Sequence, residues 1–409
     1  MERIKDRINK KRSRILIGLI IIIFIVVLII IMIRKGVENN EMQKNKYLAI
    51  ENENSELLAK YISKGVTIGG VTGTLEVLDT SDATAMPQNI DAGKTAYVKG
   101  EKIIGTKLNE NHVFEEDTTI KDELENDVRI PKGFRLAEDT AKKVEDGIVI
   151  EDDIGNQFVW IPAKTGKGTT IHTTFGDKTI VYQRTDFGKQ KGEYSDYSED
   201  LPIDEEKSIN ANGGYYIGRF EAGDKVSTEA GKMRVSGDSQ TNELSIKKGQ
   251  VPYNYATYEN SKSLAEKMAT VRNYTGITKL ISSYAWDTAI NFIKLKTPDY
   301  GVYSPQGNYN DTSFYYANIG EIEKKKRKAK DTDVIIPTGQ TTPVSNIYDM
   351  GGNCWERTSE SNSDKTYPLS LRGGTFGSLT SGYPAGYRHT NNGSAGSSST
   401  FRVTLFLKS

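Results

Sequence analysis

The sequence predicts an α+β chain led by a long apolar helix, and three observations carry that reading. Ile15 to Ile33 is uncharged and apolar throughout; several later segments alternate apolar and polar residues on either side of Gly-containing turns; and two helix-period stretches follow near Leu264 and Trp286. The pattern divides the chain into a basic tail (1–14), a transmembrane helix (15–33), a stalk (37–64), two small β-hairpin units with an acidic connector (65–127) and a large α+β domain (128–409).

The apolar run contains Ile, Leu, Val, Phe and Met with one glycine, Gly18. At 1.5 Å per residue its helix is roughly 28 Å long, the thickness of a hydrocarbon core. Arg3, Lys5, Arg7, Lys10, Lys11, Arg12 and Arg14 precede it, whereas Arg34 and Lys35 alone follow directly. That asymmetry predicts a single-pass cell-membrane protein with a cytoplasmic N-terminus and an extracellular C-terminal ectodomain. A cleaved signal peptide is the rival. It calls for a shorter apolar region and a small-residue cleavage site, which the residues after Met32 do not supply.

Basic and acidic residues balance at 54 each. No bulk attraction to nucleic acid follows, and no nucleic-acid partner is expected. Cys354 is the sole cysteine, so an internal disulfide is excluded. With His112, His172 and His389 far apart, no zinc-ligand spacing exists either, leaving a metal-free chain or an oxygen-ligated ion.

The stalk is charged, and Leu57, Leu58, Tyr61 and Ile62 suggest a short helix ended by Gly65. A weak repeat follows. Ile62–Gly65 and Gly69–Thr74 are echoed by Ile90–Gly93 and Gly100–Thr106, with strands expected at Val66–Ile68 and Lys94–Val98. The second unit resembles a hairpin element of bacterial surface and phage-tail proteins. Glu115–Asp127 reads as an acidic connector.

In the large domain, Ile148–Ile161 alternates around Gly155-Asn156 and reads as a hairpin. Gly166–Asn212 is polar and reads as a long surface excursion, and Gly214–Glu221 as a strand. Ser261 is the expected cap of a helix with Leu264, Met268 and Val271 on one face. Ser282 or Ser283 is the expected cap of a second, with Trp286, Ala289, Ile290 and Ile293 on its core stripe. From Tyr303 onward Gly, Ser, Thr, Asn and Tyr dominate, and irregular backbone is expected.

Six segments in order carry a resemblance: Gly155–Pro162, Gly214–Glu221, Ser283–Ala289, Asn346–Thr358, Leu371–Phe376 and Phe401-Arg402. From Val128 to Ser409 the chain resembles the formylglycine-generating enzyme (sulfatase-modifying factor) family, whose domain is an elaborated, irregular C-type-lectin-like α+β fold. Read physically, Gly351, Gly352, Gly373 and Gly374 permit backbone closed to other residues. Trp355 and Phe401 supply buried aromatic mass, and Arg372 and Arg402 donate to loop carbonyls.

The resemblance implies a structural calcium held by the side chains of Asp349 and Glu356 and the carbonyls of Gly352 and Cys354, a hard-oxygen set suited to that ion. The alternative is that the two carboxylates cap turns and pair with an arginine. Asn318-Ile319 matches the start of a second calcium site of the family, but its later Asp-x-Phe portion has no counterpart. The enzymes of the family bind copper through two cysteines, where Ser378 and Tyr383 stand here, and its iron-dependent members use clustered histidines. The chain is therefore expected to bind no copper, to lack catalytic residues and not to be an enzyme.

Gly377–Thr400 holds the residues of an adaptable binding loop, with Ser378, Tyr383, Tyr387, His389, Asn391 and Asn392 as candidate ligand contacts. Some members of the fold are diversified here by a retroelement. The function expected is surface-displayed ligand binding or adhesion, toward an unknown extracellular protein or glycan. The alternative is a structural part of a surface or phage-derived assembly. Lys324–Lys330 reads as a solvated basic insertion, or as a patch attracted to anionic wall polymer or lipid headgroups.

Overall fold

A computed structural model describes residues 2–52, 59–76, 79–90, 94–105, 112–330 and 334–409. Two compact units meet between Ala83 and Thr84. The first holds helix α1 (Glu2–Asn52) and a hairpin of β1 (Thr67–Ile68) with β2 (Val71–Thr72). Within Leu16–Glu41 of α1 an 18-residue stretch reaches a mean hydropathy of 3.8, and the segment is long enough to cross a membrane. Its length and composition suit a single span and equally a signal sequence. The helix does not stop at the apolar run: it continues to Asn52, through the first part of the segment read as a stalk. Leu57 and Leu58 lie outside the described residues, as do 91–93 and Thr106 of the repeat. Gly65 has φ 87°, a left-handed conformation that glycine adopts at little cost.

The second unit opens with hairpins β3 (Thr95–Val98)–β4 (Glu101–Ile104) and β5 (Thr118–Lys121)–β6 (Asp127–Ile130). The latter corrects the reading of 115–127 as a connector. Phe114 and Ile120 enter the core, and buried Asp122 accepts N–H bonds from Leu124, Asn126 and Val144. Acidity here closes a turn.

Next in chain order come β7 (Arg135–Leu136), β8 (Val149–Glu151), β9 (Gln157–Pro162), β10 (Thr169–Ile171), β11 (Lys178–Ile180), β12 (Tyr197–Ser198), α2 (Ile203–Asn212) and β13 (Gly214–Gly218). The span 166–212 is thus no surface excursion: it contains a hairpin and a helix, and it buries Ile171, Ile180, Tyr182, Tyr197 and Ile209. Its polar residues are largely the exposed alternates between these anchors. Helix α2 starts with Asp204, Glu205 and Glu206, which favour a helix N-terminus, and stops at Gly213 with φ 79°.

After β14 (Gly223–Asp224), α3 (Lys225–Glu229), β15 (Leu244–Ser245) and β16 (Val251–Pro252) come two longer helices, α4 (Tyr258–Arg272) and α5 (Ser283–Ile293), separated by β17 (Ile277–Leu280). Thr257 caps α4 through the Asn260 N–H. The expected cap, Ser261, is one turn inside, its hydroxyl donating to the Thr257 carbonyl. Leu264 and Met268 are buried as expected, whereas Val271 is 54% exposed and leaves the stripe. Ser282 caps α5, and Trp286, Ala289, Ile290 and Ile293 are fully buried.

The C-terminal part adds β18 (Phe314–Tyr316), β19 (Lys325–Arg327), β20 (Trp355–Asn362), β21 (Leu369–Arg372), β22 (Arg388–Asn391), β23 (Ser399–Phe401) and β24 (Val403–Phe406). It is therefore more regular than its composition suggests. A six-stranded antiparallel sheet, in order β17-β24-β13-β9-β8-β7, forms the centre, with the last strand in an interior position. A second sheet runs β12-β20-β21-β22, with β23 parallel to β20. The remaining strands form smaller antiparallel sheets, giving a mixed α/β architecture built of many small sheets.

Candidate functional site

Strand alternation in the second sheet separates two kinds of chemistry. Register pairs Glu356 with Arg372 and Arg372 with Arg388, all fully buried. On the opposite face Trp355 and His389 are half-exposed.

The buried face is an ionic network. Asp287 of α5 accepts from Arg372 Nη2 at 2.7 Å and also from Arg388. Glu360 accepts from Arg388 Nε at 3.0 Å and Arg184 Nη2 at 2.7 Å. Burial works to raise the Glu360 pKa, but the three guanidinium groups hold it below the usual value. Arg372 also donates to the carbonyls of Tyr387 (3.1 Å) and Gly386 (3.2 Å), fixing the loop that enters β22.

On the outer side that loop delivers an aromatic cluster. His389 stacks on Trp355 at 5.1 Å between ring centroids and 18° between planes. Tyr383 meets Trp355 edge-on at 5.8 Å, and Tyr387 lies 4.7 Å from Tyr383 and 6.0 Å from Trp355. Tyr383 is 39% exposed. Burial first, and then Lys191, lower the His389 pKa and favour the neutral imidazole.

The structure thus gathers three of the six candidate contacts, Tyr383, Tyr387 and His389, around Trp355. Trp355 was read as core; it is half-exposed because odd-numbered positions of β20 face away from the ionic network. The other three close turns. Ser378 Oγ accepts from the Thr375 N–H at 3.1 Å. Asn391 Oδ1 accepts from Arg357 and Gly393, and Asn392 Oδ1 from Ser394. Alternation from Trp355 to Glu360, with acids at 356 and 360, is the sequence signal that could have placed Trp355 outside.

The loop before β20 carries the residues read as calcium ligands. Asp349 (φ 57°), Gly352 (φ 77°) and Asn353 (φ 56°) are left-handed. Asp349 Oδ2 accepts from the Gly339 N–H at 2.6 Å and Oδ1 from Thr341 Oγ1 at 2.9 Å. Both oxygens of Glu356 face Arg402, with Nε–Oε2 at 2.8 Å. Sequence reasoning missed a third buried carboxylate, Glu221: Oε1 accepts from Asn353, and Oε2 has no hydrogen-bond partner. Burial raises the pKa of all three, bringing Glu356 to about 7 despite Arg402. Three carboxylates opposite one guanidinium suit a hard cation in charge. Among the described residues no three His, Cys, Asp or Glu side chains converge to hold one. An ion here would therefore rely on the Gly352 and Cys354 carbonyls. Cys354 is buried and unpaired, and burial together with the carboxylates raises its thiol pKa well above the ordinary value.

No family model matches the chain, and no curated protein does. Solved structures give remote likenesses. CarF is 16% identical over 52% of this chain and 95% of its own, with a TM-score of 0.31. PvdO from Pseudomonas aeruginosa is 15% identical over 63% and 98%, with 0.32, and Treponema denticola variable protein 1 is 11% identical over 62% and 96%, with 0.30. Likeness at this level assigns neither a family nor a ligand.

The basic run forms β19 and its flanks. Buried Arg327 donates to the Thr312 carbonyl at 2.9 Å, Lys325 pairs with Glu321, and Lys326 lies 5.8 Å from the Tyr315 ring. Most of its charge is solvated on a projecting hairpin.

Proposed function

We propose that this chain is a single-pass membrane protein displaying a non-enzymatic binding domain, with Trp355, Tyr383, Tyr387 and His389 as its contact surface for an extracellular protein or glycan. One observation carries the reading: a half-exposed cluster of four rings sits over an ionic network whose acids, Asp287 and Glu360, and arginines, Arg372 and Arg388, are fully buried. Tyrosines in such a setting offer broad contact area with little rotamer freedom to lose, and a support locked by packing and hydrogen bonds preorganises it. The finer architecture we propose is the irregular C-type-lectin-like fold of the formylglycine-generating enzymes, with the oxidase chemistry missing. Ser378 and Tyr383 occupy the places of the copper-binding cysteines, and the thiol of Cys354 is sealed in the interior.

The test is binding by the full chain in lipid nanodiscs to arrayed glycans and displayed extracellular proteins. We expect a discrete ligand whose affinity falls at least tenfold in Tyr383→Ala and Tyr387→Ala, with melting temperatures near wild type. Binding that survives both substitutions would move the contact surface elsewhere. Formylglycine produced on a cysteine-containing sulfatase peptide with added copper would overturn the non-enzymatic reading.

A further inference from the structure

A cavity of about 650 Å³ lies on the other sheet system, apart from the aromatic cluster. Its walls are the β5–β6 hairpin, the end of β9, β10 and the turn that follows α2. The volume falls within the usual range for small-molecule sites.

The groups lining it that lack partners are almost all donors. The Trp160 indole N–H is buried and has no acceptor, although Trp160 is 1% exposed. The Thr169 hydroxyl is likewise buried and unpartnered. Arg129 gives one N–H to Thr119 Oγ1 at 3.0 Å, and neither Arg129 nor Lys164 has a carboxylate partner among the described residues. Of the other lining groups, Lys121 pairs with Asp127 at 2.6 Å and the His172 ring hydrogen-bonds Asp177 at 2.8 Å, which leaves Glu125 as the one lining acid without an ion pair among the described residues. The recess around Arg219 differs: its charges are matched as Arg219–Asp139 and Arg135–Glu151. Exposed Lys164, half-buried Arg129, a buried N–H and a hydroxyl in one polar cavity favour a ligand whose acceptors bear negative charge.

We infer that this cavity binds a small organic oxyanion, a carboxylate, sulfate or phosphate ester of about the size of an acidic monosaccharide. Arg129 and Lys164 would supply the charge, and the Trp160 N–H the directional bond at the floor. The inference is independent of the aromatic cluster.

Calorimetric titration of the full chain in nanodiscs tests it with D-glucuronate, glucose 6-phosphate and inorganic sulfate, which separate the three oxyanions, and with neutral D-glucose. We expect one saturable site for at least one oxyanion and none for glucose. Arg129→Gln should weaken it at least tenfold and Lys164→Gln several-fold, while Lys326→Gln, the same charge change on the distant hairpin, leaves it intact. Trp160→Phe should also weaken it, and Lys164→Gln keeps the test valid if that buried substitution unfolds the chain. Silence with all three oxyanions overturns the inference. So does affinity unchanged in both Arg129→Gln and Lys164→Gln, or reduced equally by Lys326→Gln.

Discussion

At the residue scale, buried charge is the recurring device. Arg372, Arg388 and Arg402 are fully buried, and each faces a carboxylate while also donating to loop carbonyls. Such donors hold irregular backbone that has no ladder of its own. The carboxylates around Cys354 are less balanced, and there a cation would add to stability. We predict that millimolar calcium raises the melting temperature of the purified chain by several degrees relative to chelator. Ligand at about 100 times its Kd contributes about 2.7 kcal/mol. Asp349→Ala should remove most of that increment. Because Asp349 also caps Gly339 and Thr341, the variant should melt lower even in chelator. Identical wild-type melting in calcium and chelator would show that packing and Arg402 alone hold this loop. Asp349 and Glu356 were readable as a candidate pair only through the resemblance carried by Asn346–Thr358; Glu221, 128 residues before Asp349, was not, because only the fold brings it there.

At the element scale, close approach limits what the central sheet tolerates. Gly214 opens β13 opposite Pro162, and a Cβ there would come within 2.4 Å of the Ile161 carbonyl oxygen and 2.6 Å of the Trp160 ring. Both obstacles are interior, so neither can move freely. Gly214→Ala is therefore expected to destabilise by about 1–3 kcal/mol, the usual cost of overpacking a core, read as a lower denaturation midpoint. A midpoint within error of wild type would mean the β9–β13 pair relaxes more easily than its packing implies. The hairpin at 148–161, the first five residues of the strand expected at 214–221 and the Ser282 cap were legible because local alternation and capping chemistry fix them. The strands after Tyr303 were not, since their ladders are completed by partners distant in sequence. Trp355–Arg357 pairs with Ser399–Phe401, and Val403–Phe406 lies between β13 and β17.

At the scale of the whole molecule, α1 is the feature whose role topology experiments decide. The seven basic residues before Ile15 predict a cytoplasmic N-terminus. Protease added to intact protoplasts should degrade the region from Lys46 onward and leave an N-terminal fragment protected. Full protection would reverse the orientation, and a mature chain lacking residues 1–33 would identify α1 as a cleaved signal.

The sequence by itself determined the apolar helix, the absence of internal disulfides, the α+β class and the Tyr- and His-bearing segment near the C-terminus. Each depends on composition or on neighbours within a few residues. Tertiary structure alone decided that Trp355 joins Tyr383, Tyr387 and His389 and that Ser378, Asn391 and Asn392 close turns. It also placed Glu221 beside Asp349 and Glu356, and Arg129 and Lys164 around one cavity with Trp160. These are meetings of residues far apart in the chain. Which polar group is left without a partner depends on the register and packing of separate strands, and short-range periodicity carries no record of that.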